Sequence, residues 1–158
     1  MATIQLSKGL VSLVDEDIAE YLNNYKWFVT CKSGTELYYA ATRIDGKRVR
    51  MNRFIWEYCN GVIPPKMDID HISRDSLDNR IMNLRIATRS ENNVNSKVRS
   101  DNTTGYKGVY YVKGRVKPYW AYVKKEGKRY GLGMYKTAEE AYKAYQVKAK
   151  ELYGDFAA

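Results

Sequence analysis

Apolar and polar positions along this chain change period several times, and each change marks an element. Ile4 to Leu6 and Leu10 to Leu13 read as short strands around Lys8-Gly9, and Asp15 opens a short helix through about Leu22, with acids in its first turn. Trp27 to Cys31 and Leu37 to Ile44 read as strands, and Asp45-Gly46 is a hairpin turn. A return strand, Lys47 to Met51, leads into a helix near Asn52 to Cys59 that Asn60-Gly61 closes. Pro64-Pro65 then forces an extended entry. Beyond it the pattern predicts a strand ending at His71, a loop from Ser73 to Asn83, a strand from Leu84 to Thr88, and a helix from Arg89 to Lys97. Thr88-x-x-Glu91 is a capping box, which puts Asn92 at the fourth helical position, able to face back across the hairpin toward Asp70.

The last third repeats neither pattern. Residues 99–104 are polar and aperiodic and read as a linker. Three strands follow, Tyr106 to Val112, Pro118 to Lys124 and Lys128 to Met134, with turns at Lys113-Gly114 and Glu126-Gly127. A second capping box, Thr137-x-x-Glu140, opens a helix through about Tyr153. Its expected buried stripe is Ala138, Ala141, Tyr145, Ala149 and Leu152. The reading is an α+β chain. A small N-terminal α+β unit spans 1–60 and a strand–loop–strand–helix unit spans 61–98. After the linker, a three-stranded antiparallel sheet with one helix spans 105–158.

Charge changes the picture in the last third. Cations outnumber anions by eight to seven in residues 1–60, seven to five in 61–100, and twelve to six in 101–158. A positive field concentrated there suits docking to a polyanion, although solubility alone explains many basic proteins. No apolar run approaches the roughly 20 residues of a membrane span, and the N-terminus has no apolar signal core, so a cytoplasmic protein is expected. Cys31 and Cys59 are isolated and one histidine is present, so a structural zinc is not expected.

That histidine carries the chemistry. His71 follows Asp70 directly, with Asn83 and Asn92 a short way on. A phosphodiester-cleaving site needs a neutral base to take a proton from water and hard oxygen ligands for one divalent cation. His71 can be the base and Asp70 and Asn92 the oxygens. Each also has a plainer reading: a structural histidine, an aspartate capping a turn or paired with an arginine, an asparagine on a solvated helix face.

Asp68-Ile-Asp-His-Ile72, Leu77-Asp-Asn-Arg80, Asn83-Leu-Arg-Ile-Ala-Thr88 and Glu91-Asn-Asn93 together resemble the HNH nuclease motif of phage and intron homing endonucleases. The resemblance implies a ββα-metal fold. It implies His71 as general base, Asp70 and Asn92 as ligands of one Mg²⁺ or Mn²⁺, and Asn83 as the residue that braces the loop and orients the histidine. Its products are a 5′-phosphate and a 3′-hydroxyl. Asn79 and Arg80 would order the loop or touch phosphate, and Arg85 and Arg89 would contact the scissile strand or lie in solvent.

Tyr106-Lys-Gly-Val109, Leu132-Gly133 and Thr137-Ala-Glu-Glu-Ala141 resemble the AP2 DNA-binding domain, which lays a three-stranded sheet in the major groove. By strand alternation Tyr119, Ala121 and Val123 pack on the helix, and Trp120, Tyr122 and Lys124 point the other way. Arg129 faces outward where AP2 proteins carry a contacting arginine, and Lys107 matches their arginine before Gly-Val. Arg115, Lys117 and Lys128 sit at turns and hold phosphates. Tyr110-Tyr111-Val112 replaces the arginine-rich first strand of plant AP2 domains, so their target sequence is not inherited. Arg43, Lys47, Arg48, Arg50 and Arg53 track the backbone or lie in solvent.

The expected protein is a metal-dependent, site-recognising endonuclease of double-stranded DNA. It needs no membrane and no small-molecule cofactor, acts as a monomer or weak dimer, and nicks as a monomer. The alternatives are a DNA-binding protein with a relic HNH unit and, from its many tyrosines, an RNA-binding module.

Overall fold

A computed structural model describes residues 1–31 and 37–157. The chain divides into two compact units, Met1–Thr88 and Arg89–Ala158. Both mix helices with small antiparallel sheets, so the fold is α+β, as the periodicity predicts.

The first unit opens with a hairpin of β1 (Ala2–Gln5) and β2 (Val11–Val14). α1 (Glu16–Leu22) buries Ile18 and Leu22. Asp15 stands at its N-cap, but the expected side-chain cap does not form; its Oδ2 accepts from Ile81 N at 2.6 Å instead. A loop amide that turns inward needs an acceptor, and the nearby carboxylate supplies a charged one.

β3 (Phe28–Cys31), β4 (Tyr38–Ile44) and β5 (Lys47–Arg50) form a meander. Its tight turn places Asp45 at φ 48° and Gly46 at φ 75°, the paired left-handed geometry of a type I′ hairpin. α2 (Met51–Asn60) buries Met51 and Ile55, and its Asn52 Nδ2 donates to Ile69 O at 2.9 Å. That bond lands on the last hairpin, β6 (Met67–His71) with β7 (Leu84–Thr88). Ile69 and Leu84 of this hairpin share one core with Ile4, Val14, Leu22, Trp27 and Ile55.

The second unit begins with α3 (Arg89–Asn95), two residues shorter than expected. Its end is fixed by Lys107, whose Nζ donates to Val94 O at 2.7 Å and to Ser96 O at 2.5 Å. A cation on the last carbonyls of a helix is favourable both as a hydrogen bond and against the dipole. The sheet runs β10 (Lys128–Tyr135), β9 (Tyr119–Lys125), β8 (Val109–Tyr111).

β8 is shorter than the Tyr106 to Val112 expected. Gly105 and Gly108 take φ of 73° and 71°, which breaks the extended run. The segment before them closes on itself, with Asn102 Nδ2 donating to Tyr106 O at 3.0 Å and Asn102 Oδ1 accepting from Thr104 N at 2.9 Å.

α4 (Ala138–Tyr153) starts at the predicted capping box: Thr137 Oγ1 accepts from Glu140 N at 3.2 Å, and Glu140 Oε2 accepts from Thr137 N at 3.4 Å. It buries Ala138, Ala141, Tyr145, Ala149 and, in place of Leu152, Tyr153. The Tyr153 hydroxyl reaches Lys124 O and Ser90 Oγ, partners that leucine lacks. Ala121 and Val123 face the helix and are buried. Among the described residues no helix is long and apolar enough to cross a membrane.

Candidate active site

Asp70 and His71 end β6, and the register sets their surroundings: Asp70 pairs with Arg85 across the hairpin, and His71 with Leu84. Directly opposed side chains on one face meet, so Asp70 Oδ2 accepts from Arg85 Nε at 3.0 Å. The carboxylate is almost fully covered, and so is the His71 ring. Burial is the main reason that the imidazole sits below its ordinary pKa of 6.5; the hydrogen bond to Asn79 and the charges of Asp70, Asp75 and Asp78 work against that shift. At neutral pH the ring is uncharged and able to accept a proton.

The loop from Ile72 to Asn83 is held at many points. Asn83 Oδ1 accepts from Ser73 N at 2.9 Å, Asn83 Nδ2 donates to Asp78 O at 2.7 Å, and Asn83 O accepts from Ile72 N at 2.8 Å. This asparagine therefore fastens both arms of the loop, and neither of its side-chain bonds reaches the His71 ring. The amide that does is Asn79, with Oδ1 at 3.2 Å from His71 Nε2. Asn79 Nδ2 donates onward to Ser12 Oγ at 2.8 Å.

Main-chain bonds from β2 hold the same loop, Leu13 N to Leu77 O at 2.9 Å and Asn79 N to Leu13 O at 2.8 Å. Arg80 grips Asp78 in two bonds, Nε to Oδ1 at 2.8 Å and Nη2 to Oδ2 at 2.6 Å, which holds the Asp78 carboxyl below the usual carboxylate range.

Asp70, His71, Asn83 and Arg85 thus come together in the first unit, and sequence reasoning gave Asn79 a lesser part than the structure does. Its signal was visible, an amide inside the motif segment Leu77–Arg80. Ser12 had none: one serine in an apolar strand carries no mark of a partner 67 residues away.

The remaining expected residues lie in the second unit. Asn92 is half-buried on α3, between exposed Arg89 on one side and buried Asn95 on the other. The outer face of the sheet carries Trp120, Tyr122 and Arg129, joined by Tyr110. Tyr110 stacks on Tyr122 with ring centroids 4.9 Å apart, and their hydroxyls lie 3.1 Å apart. The Arg129 guanidinium lies 4.6 Å from the Tyr122 centroid and 5.6 Å from that of Trp120. Burial, then the bond to Tyr122, pushes the Tyr110 phenol up to about 12. Lys124 opposes Arg129 across the strands. Arg115, Lys117 and Lys128 are exposed, whereas Lys107 is bound to the end of α3.

A short hairpin ending in Asp-His, with its loop tied by asparagines, is the framework of an HNH nuclease, and a family model described as HNH endonuclease matches residues 49–94. The chain is 33% identical over 152 residues to an uncharacterized HNH endonuclease of Acanthamoeba polyphaga mimivirus, covering 96% of this chain and 75% of that one. It therefore belongs to the HNH endonuclease family. It is also 35% identical over 111 residues to "Protein 3.8" of Escherichia phage T7, covering 70% of this chain and 90% of that protein. No solved structure matches the chain.

Proposed function

We propose that this nuclease is a metal-dependent, site-recognising endonuclease of double-stranded DNA, of the homing type. Residues 61–98 carry the chemistry and residues 105–158 the docking. The observation that carries the reading is the buried, uncharged His71 beside the Asp70 carboxylate, with its ring tethered to an asparagine.

His71 takes a proton from a water molecule, the resulting hydroxide attacks the phosphorus and the P–O3′ bond breaks, and the leaving 3′ oxygen takes a proton from solvent, giving a 5′-phosphate and a 3′-hydroxyl. Arg85 holds the Asp70 carboxylate in one orientation and offsets its charge in the covered hairpin. Asn83 keeps the loop at the length and shape that His71 needs.

The donor chemistry suits a hard divalent ion, Mg²⁺ or Mn²⁺, and the motif assigns the Asp70 carboxylate and the amide oxygen of Asn92 as the protein groups that would hold it. Among the described residues no group of three or more His, Cys, Asp or Glu is placed to hold a metal. Two protein oxygens leave most positions to water and phosphate, as a phosphate-clamping Mg²⁺ requires. When bound, the ion supplies stabilisation of charge developing on the phosphate and the leaving oxygen.

Docking falls to the outer sheet face. The AP2-like arrangement of Trp120, Tyr122, Lys124 and Arg129 offers a guanidinium and indole for base edges, with Arg115, Lys117 and Lys128 on phosphates. Arg89 lies near the scissile strand, and Lys107 supports α3. One base and one ion cut one strand, so a monomer nicks.

The test is strand breakage in a pool of supercoiled plasmids with random and phage-derived inserts, under Mg²⁺, Mn²⁺ or EDTA. Wild type nicks in either metal and not in EDTA, and His71→Ala binds the same DNA without cutting it. Cleavage by His71→Ala at the wild-type rate overturns the mechanism, and retention on DNA without breakage by either protein favours the relic-nuclease alternative.

A further inference from the structure

Ser12 is fully buried, polar, and placed in a strand with no evident part in phosphodiester chemistry. Its hydroxyl has one hydrogen, and it goes to Leu77 O at 2.9 Å. Toward Asn79, at 2.8 Å, Ser12 Oγ therefore acts as acceptor, and the group facing it is the amide nitrogen. The amide orientation follows: Asn79 Oδ1 faces the ring, and an acceptor 3.2 Å from Nε2 requires that Nε2 carry a hydrogen.

We infer that Ser12, through Asn79, is a positioning residue that fixes the single histidine as its Nε2–H tautomer and makes Nδ1 the nitrogen that receives the proton from water. This rests on the reading of His71 as the general base. Once Nδ1 has taken the proton, the Nε2–H stays on Asn79 Oδ1, so the relay moves no proton itself. It holds the ring in one orientation and keeps the basic lone pair on the nitrogen away from Asn79. The two members of the relay that hold the ring are more completely buried than the ring itself, at 0% exposure for Ser12 and 1% for Asn79 against 7% for His71. Water therefore has little chance to compete for the amide.

This gives the N-terminal hairpin a direct part in the chemistry. β2 contributes Leu13 main-chain bonds that place the loop and the Ser12 hydroxyl that orders its amide. A residue 59 positions before the histidine in the chain thereby sets which of its nitrogens is basic.

One histidine in the chain makes the test direct. The full-length protein is labelled with ¹⁵N-histidine, and the two ring nitrogens are read by long-range ¹H–¹⁵N correlation at pH 8. Wild type shows a neutral ring with its hydrogen on Nε2 and that proton protected from exchange with water. Ser12→Ala loses the protection, and its kcat falls by roughly tenfold, the scale seen when a partner behind a functional histidine is removed, with KM for DNA unchanged. Ser12→Ala combined with Asn79→Asp presents an acceptor to Nε2 whichever way the group turns, and it restores the protected Nε2–H signal.

A wild-type ring protonated on Nδ1 overturns the inference, as does a protected Nε2–H that persists in Ser12→Ala. If the signals behave as stated while His71→Ala still cleaves, the relay stands and the assignment of the base fails. The two readings are thus separable.

Discussion

Gly108 gives the sharpest test of the second unit. Its φ of 71° lies in the left-handed region, and a Cβ there would stand 2.1 Å from Tyr145 Cδ2, 2.3 Å from Cε2 and 2.9 Å from Tyr122 O. Carbon atoms pack best at about 3.5–4.0 Å, so the ring must shift by more than an ångström inside the sheet–helix core. The left-handed conformation costs an alanine about 1–2 kcal/mol, and overpacking adds about 1–3 kcal/mol. Gly108→Ala therefore removes about 2–5 kcal/mol from a unit of about 70 residues whose whole stability is on the order of 4–10 kcal/mol.

At roughly 4–8 °C per kcal/mol for this size, Tm falls by at least about 8 °C. Gly114→Ala is the control: its φ is 81° and nothing lies within 4 Å of the added carbon, so only the backbone cost applies. Scanning calorimetry on both variants separates the terms. A Gly108→Ala loss no greater than that of Gly114→Ala refutes the packing argument.

Tyr145 gives the second unit an alkaline limit. Burial raises its phenol to about 12 from 10. A raised acid stabilises the fold fully below pH 10, and the contribution, about 2–3 kcal/mol, is lost as pH climbs from 10 to about 12. Urea unfolding at pH 9 and 11.5 should show this loss, and Tyr145→Phe should show less of it. Asn83→Ala leaves Ser73 N and Asp78 O without their side-chain partners and costs about 2–4 kcal/mol, with faster hydrogen exchange at Ser73. Lys124→Ala with Arg129→Ala should lower the slope of log K against log salt by up to about 2, and unchanged binding in a salt titration removes the sheet face from the interface.

The elements were legible because their punctuation is local. Asp45-Gly46 demands its turn, Thr137-x-x-Glu140 its helix start, and the alternation of Ala121 and Val123 with Trp120 and Tyr122 its two sheet faces. The shortfalls have long-range causes. Asp15 gave up its cap for an amide 66 residues away, and α3 stops early because Lys107 reaches it from beyond the next turn. The Asp70–His71 pair was visible because rarity marks it, with one histidine in the chain. The Asn79–Ser12 support was not, since buried amide and hydroxyl partners leave no periodicity and follow only from the register of β2 on the loop.

The β2 clamp on the nuclease loop bears on how this catalyst can be moved. A ββα hairpin reads as a portable part, ready for grafting onto another DNA-binding scaffold. Here the loop's main chain is completed by Leu13, its Ile81 amide by Asp15, and its Ser76 hydroxyl by Tyr38 O. Cutting at Pro64-Pro65 would strand all of these groups. The transplantable piece therefore starts at the first strand rather than at Pro64, and it runs on through α3 (Arg89–Asn95) because that helix carries Asn92.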